Sequence, residues 1–116
     1  MTAESKQRVY VGTYTRRSAD QPHRRESIYL CEFDPVSGTL ELRGAIADVP
    51  NPSFLAISKD EKFLFAVNEE SSFHSVDGGG ASAFALDTSP ISFINARPTH
   101  GESPCYITLD AAQKWA

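Results

Sequence analysis

No stretch of this 116-residue chain approaches the run of about 20 apolar residues that a membrane-spanning helix requires. The opening segment, Met1-Thr2-Ala3-Glu4-Ser5-Lys6-Gln7-Arg8, is polar and has no apolar core, which argues against a secretory signal. Cysteine is scarce. Cys31 and Cys105 cannot build a disulfide framework, and they read as reduced thiols of a cytoplasmic protein. Positive charge is not in excess: the net charge of -4 excludes a general nucleic-acid footprint, and no membrane partner is indicated. His74 and His100 lack ligand-like spacing to other His or Cys residues, so no metal site is expected. Gly78-Gly79-Gly80 is followed by neither a Lys-Ser/Thr pair nor a helix. It is therefore no phosphate loop, and more simply lets the chain turn. Nothing calls for a cofactor, and no segment carries a convincing 3.6-residue period. The length allows one small domain, and a hydrophobic content of 41% lies well above the disordered range.

What is present is β-structure. The organising stretch runs from Asn51 to Glu69. Pro50 and Pro52 keep its approach out of the helical region. Phe54-Leu55-Ala56-Ile57 and Phe63-Leu64-Phe65-Ala66-Val67 are short apolar runs on either side of the polar turn Ser58-Lys59-Asp60-Glu61-Lys62. Neither run alternates, so this hairpin is expected to be buried on both faces. Further strands are predicted at Val9–Thr15, Ser27–Phe33, Thr39–Leu42, Ala81–Leu86, Ile91–Ala96 and Ser103–Leu109. Thr39–Leu42 alternates as a half-exposed outer strand should. The Asp34–Gly38 and Asp87–Pro90 segments are turns, and Glu70–Gly80 is a loop.

The segments recur. Pro104-Cys105-Tyr106-Ile107-Thr108-Leu109 repeats the pattern of Pro52-Ser53-Phe54-Leu55-Ala56-Ile57 after 52 positions, and Lys114-Trp115 repeats Lys62-Phe63. Four antiparallel strands per period of roughly 50 residues describe a β-propeller blade, a sheet whose faces pack on neighbouring blades. The fold class expected is thus all-β, a propeller of four-stranded blades. Residues 1–50 would supply three strands of a first blade, 51–99 a complete blade and 100–116 the start of the next. A propeller needs at least about four blades, so the chain reads as the N-terminal part of a longer protein.

Val9–Thr15 (VYVGTYT), Asn51–Ser58 (NPSFLAIS), Phe63–Glu69 (FLFAVNE), Gly79–Asp87 (GGASAFALD) and Glu102–Asp110 (ESPCYITLD) together resemble the opening of the lactonase-type seven-bladed propeller family, which includes bacterial 6-phosphogluconolactonases. The resemblance implies that the full seven-bladed protein hydrolyses a sugar lactone, or acts on a related carboxylate, and that about two of its seven blades are present in this chain. A related branch that cyclises carboxy-muconate, and a propeller serving only as a binding module, are the alternatives. The family's C-terminus would supply the missing inner strand of the first sheet. Tyr106 stands where many members carry His, and the family's His, Arg and Glu lie in later blades, so the resemblance assigns no catalytic residue to this stretch.

Lactone opening needs a base to activate water and a donor for the oxyanion. Propeller geometry would gather Thr13, Tyr14, Asn51, Asn68, Glu69, Ser103 and Tyr106 at one channel mouth. Glu69 is the catalytic candidate, or else a carboxylate that caps the loop. Asn51, Asn68 and Tyr106 are candidate substrate contacts, although a tyrosine on an inner strand is more often a packing residue. The basic cluster Arg16, Arg17, His23, Arg24 and Arg25 would attract a phosphate or carboxylate, with Arg16 and Arg17 the candidate contacts; a solvated loop is the plainer reading.

Overall fold

The computed structural model describes residues 5–18, 20–22 and 24–116. Nine strands form three antiparallel sheets, with no helix among the described residues. Strands β1 (Gln7–Gly12), β2 (Ile28–Asp34) and β3 (Thr39–Ala47) make a three-stranded sheet in that order. Strands β4 (Leu55–Ile57), β5 (Phe63–Asn68), β8 (Gly80–Ala85) and β9 (Ser92–Pro98) make a four-stranded sheet, again in chain order. Between β5 and β8, β6 (Ser72–Phe73) and β7 (Val76–Asp77) form a small hairpin of their own.

The core lies between the two large sheets. Ile28 and Val49 from the first meet Leu64, Ala66, Phe84 and Leu86 from the second, with Tyr10, Ile46, Leu55 and Ile91 packed around them. Period-two alternation explains the choice on β5: Leu64 and Ala66 share the face turned to this core. The opposite face is covered only at one end. Val67 is buried and Phe65 half-buried, but Phe63 is 37% exposed, as is Phe54, while Ile57 on β4 is 42% exposed. Burial on both faces therefore holds near Asn68 and fades towards the Ser58–Lys62 turn.

Four strand expectations change. The strand expected at Thr39–Leu42 extends to Ala47, and Leu40 and Leu42 are both exposed, so the half-exposed alternation does not hold: no neighbouring layer covers either face of its first half. The first strand ends at Gly12, not Thr15, because the Thr15 N–H leaves the ladder to donate to Asn51 Oδ1 at 2.7 Å. The Glu70–Gly80 loop contains the β6–β7 hairpin. Its two central residues, His74 and Ser75, both have positive φ (52° and 64°), as a two-residue turn matched to strand twist demands. Ser103–Leu109, expected as a full strand, joins no sheet among the described residues. A strand is defined by a hydrogen-bonded partner, and here the segment instead lies against Val67 and Ala81, with Tyr106 stacked on Phe54 at 4.8 Å between ring centroids. Cys105, in this segment, is exposed, whereas Cys31 on β2 is buried; both are unbonded thiols.

Candidate active site

The segment after β1 (Thr13–Ser18), the approach to β4 (Asn51–Ser53) and the segment after β5 (Glu69–Ser71) converge on one pocket of about 540 Å³. Tyr14, Arg16, Arg17, Asn51, Glu69, Glu70 and Ser103 are among the residues lining it. Asn51 ties the three segments together. It sits 3% exposed at φ 42°, a left-handed conformation that asparagine tolerates better than most residues. Its Oδ1 accepts from the backbone N–H of Thr15 (2.7 Å) and of Arg16 (3.1 Å). Its Nδ2 donates to the Glu69 carbonyl (3.3 Å) and to Glu70 Oε2 (2.6 Å). Its own carbonyl accepts from Glu69 N (3.0 Å) and Ser53 N (2.8 Å).

Glu69 and Glu70 follow β5 and turn different ways. Glu69 is half-buried, and its Oε1 accepts from the Tyr14 hydroxyl (3.0 Å) and from Ser53 Oγ (2.7 Å). The other oxygen has no hydrogen bond among the described residues. The Tyr14 phenol is held above its usual pKa range, chiefly by its hydrogen bond to Glu69 and then by the charge of that carboxylate. It thus stays a neutral O–H donor at ordinary pH. Glu70 is only 3% exposed and is fully partnered. Its Oε1 takes Nε (2.9 Å) and Nη2 of Arg16, its Oε2 takes Asn51, and its carbonyl accepts from Ser103 N (3.0 Å). Arg16 Nη1 reaches the Gln21 carbonyl at 3.0 Å, so all three nitrogens of that guanidinium are engaged. Arg17, exposed at the pocket rim, has no side-chain hydrogen bond or ion pair among the described residues.

Of the residues singled out from sequence, Glu69, Asn51, Arg16 and Arg17 come together here, with Tyr14 and Ser103 beside them. Asn68 is fully buried behind the pocket, donating to the Pro50 carbonyl (2.8 Å) and accepting from Ser82 Oγ (2.7 Å). Thr13 spends its hydroxyl on the Ser27 carbonyl. Tyr106 does not line this pocket; it is 66% exposed against Phe54. Within the basic cluster, Arg24 reaches the Tyr14 carbonyl and Arg25 pairs with Asp48, while His23 lies outside the described residues. Glu70 and Ser53 were missed. The adjacent acids Glu69-Glu70 at a strand end were the available signal, since consecutive residues there do not share a face. Among the described residues no group of three His, Cys, Asp or Glu side chains could hold a metal ion. Nor is any helix there long and apolar enough to cross a membrane.

Comparison with known proteins identifies the family of the chain. The family profile described as a lactonase, seven-bladed β-propeller, matches residues 8–116. The chain is 30% identical over 104 residues to the 6-phosphogluconolactonase of Bacillus subtilis, covering 87% of this chain and 26% of that protein. It is 26% identical to the 6-phosphogluconolactonase of Formosa agariphila, covering 92% and 29%. Among solved structures it superposes on the periplasmic gluconolactonase of Pseudomonas aeruginosa with a TM-score of 0.71 and 29% identity, covering 94% of this chain and 29% of that one. A Lactobacillus plantarum protein gives a TM-score of 0.70 at 28% identity, covering 93% and 28%. The chain thus spans little more than a quarter of the length of each of these relatives. Over that quarter the profile, the identities and the all-β fold agree, and the chain belongs to the lactonase seven-bladed β-propeller family.

Proposed function

We propose that this chain forms one side of the active-site mouth of a sugar-lactone hydrolase resembling 6-phosphogluconolactonase, with Glu69 as the general base. The observation that carries the reading is the Glu69 carboxylate, facing the pocket with one oxygen fixed by Tyr14 and Ser53 and the other open. Glu69 takes a proton from water as the water oxygen attacks the lactone carbonyl carbon. The oxyanion that forms needs a donor, and Arg17 is the guanidinium at this rim with no partner of its own among the described residues. When the ring C–O bond breaks, Glu69 returns the proton to the departing ring oxygen, and a hydroxy acid is released. In a substrate that presents its phosphate or carboxylate at this rim, Arg17 would bind that group instead, and the oxyanion donor would come from elsewhere in the full propeller. Asn51, its amide bonded within the chain, forms part of the wall, and Asn68 supports it from behind without touching substrate. Tyr106 enters this reading as a contact only for a substrate long enough to reach beyond Ser103. The two unbonded thiols, one of them exposed, suit a reducing cytoplasmic setting.

The test is Glu69→Gln in a propeller of the relatives' length that carries this chain, assayed on 6-phosphogluconolactone. Loss of a general base lowers turnover by about 100-fold or more. Glu41→Gln, on the exposed strand β3, is the control expected to leave turnover unchanged. Wild-type-like turnover in both variants removes Glu69 from the site.

A further inference from the structure

Glu70 is a buried carboxylate that the lactonase reading does not use. It lies next to Glu69 in sequence, yet it is 3% exposed and turned into the protein. Each of its oxygens is committed: Oε1 to the Arg16 guanidinium and Oε2 to Asn51 Nδ2 at 2.6 Å. Both partners act on the same short segment. Arg16 is part of it, and Asn51 Oδ1 holds the backbone N–H groups of Thr15 and Arg16. Residue 14, immediately before, is the tyrosine whose hydroxyl sits on Glu69 Oε1 at 3.0 Å. A chain of direct contacts therefore runs from Glu70 through Arg16 and Asn51 to Tyr14, and ends on the carboxylate one residue from where it began.

We infer that Glu70 is a positioning residue: by clamping Arg16 and Asn51 it fixes the Thr13–Arg16 segment so that the Tyr14 hydroxyl orients the Glu69 carboxylate. The assignment rests on the lactonase reading for its catalytic consequence, but not for its structural one. Alternative anchors for Tyr14 are weak. The residue is 64% exposed, and apart from Glu69 its hydroxyl meets only Ser53, while Arg24 touches its backbone carbonyl. Nothing else described holds the ring in place. Without the Glu70 carboxylate the segment keeps the Thr13–Ser27 bond and its bonds to Asn51, but the Arg16 guanidinium and the Asn51 amide lose the shared acceptor that fixes them relative to each other.

The experiment uses the propeller-length protein with tyrosine labelled at the ring carbon bearing oxygen, the Tyr14 resonance being identified by its loss in Tyr14→Phe. In the parent the Tyr14 phenol titrates above the ordinary range, because Glu69 is its neighbour. In Glu70→Gln the Tyr14 titration is expected to fall back towards that of a free phenol, and in Glu70→Asp to fall part of the way. An unchanged titration in Glu70→Gln with the protein folded overturns the inference, whatever the enzyme's activity. Kinetics supply the second arm. Misplacing a catalytic group by about 1 Å costs roughly 100-fold in rate, so Glu70→Gln is expected to lower kcat by that order while KM changes little. If Glu70 acts through Tyr14, adding Glu70→Gln to Tyr14→Phe lowers kcat no further than the greater single effect. Independent, multiplying losses overturn the route through Tyr14. Should Glu70→Gln not fold, Asn51→Asp and Arg16→Lys weaken the same clamp from its other ends and are expected to shift the Tyr14 titration in the same direction. Should the propeller show no lactonase activity at all, the proposed reaction fails, and the titration alone still decides the role of Glu70.

Discussion

Asn51 commits its backbone N–H, its carbonyl and its whole side-chain amide to the chain around it. Replacing it by Ala leaves buried Glu70 short of a donor, at about 1–3 kcal/mol for the unsatisfied group, and adds the strain of a left-handed alanine, about 1–2 kcal/mol. Asn51→Gly loses the same bonds without that strain. Denaturant unfolding of the propeller-length protein is therefore expected to rank Asn51→Ala below Asn51→Gly, and both below the parent. Tyr14 makes a prediction in pH. Its folded pKa is raised, so the contact with Glu69 contributes stability that is complete below the unfolded phenol pKa and is lost as pH rises through the folded one. In Tyr14→Phe the alkaline decline of stability is expected to be shallower than in the parent, as urea unfolding across that range would show. Much of the candidate site was legible as an address: Glu69, Asn51 and Arg16 stand at strand ends where a propeller gathers its loops. The direction of each side chain was not. Whether Glu69 or Glu70 faces the pocket depends on how the backbone turns after Asn68, where Glu70 N donates to the Asn68 carbonyl, and the two residue types are identical.

The strands repeat in the backbone as well as in the letters. Asn51 and Ser103, 52 positions apart, both adopt positive φ (42° and 51°), and so do Glu61 and Gln113 (60° and 58°). Glu61 N donates to the Ser58 carbonyl, and Gln113 N to the Asp110 carbonyl, closing the same turn twice. Apolar runs and turn residues made this period readable, because they report burial and left-handed backbone directly. The β6–β7 hairpin was not readable: two-residue strands carry too little pattern, and His74-Ser75 is not a glycine-type turn. Ser103–Leu109 illustrates the converse, a strand-like sequence without a ladder. Contact between elements is tested at Gly12, at the end of β1, where an added Cβ would lie 2.1 Å from the Pro52 carbonyl oxygen. Backbone on both sides cannot give way cheaply, so Gly12→Ala is expected to destabilise by about 1–3 kcal/mol. Gly101→Ala, with nothing within 4 Å of the new methyl, is expected to be close to neutral by the same unfolding measurement.

For the molecule as a whole, the core between the two sheets satisfies only one face of each. Leu40 and Leu42 on β3, Phe93 and Ile94 on β9, and Phe54 and Ile57 around β4 all remain exposed. The outer strands β1, β3, β4 and β9 each leave one edge unpaired among the described residues, and such edges recruit other chains. Leaving a large apolar side chain in water forfeits about 1.5–3 kcal/mol, against a typical total stability of about 5–15 kcal/mol. Expressed by itself, the 116-residue chain is expected to be inactive and to self-associate. Size exclusion with light scattering would show it, and a monodisperse monomer with a cooperative unfolding transition would refute it. The recurring left-handed residues, meanwhile, mark out a cassette. A gene carrying residues 51–102 twice in succession would splice Glu102 to a second Asn51 at the very step where Glu102 already meets Ser103, a residue of like φ. Each added copy then inherits a junction the chain already uses, and lengthening such an array one sheet at a time would require copying DNA, with no loop to redesign.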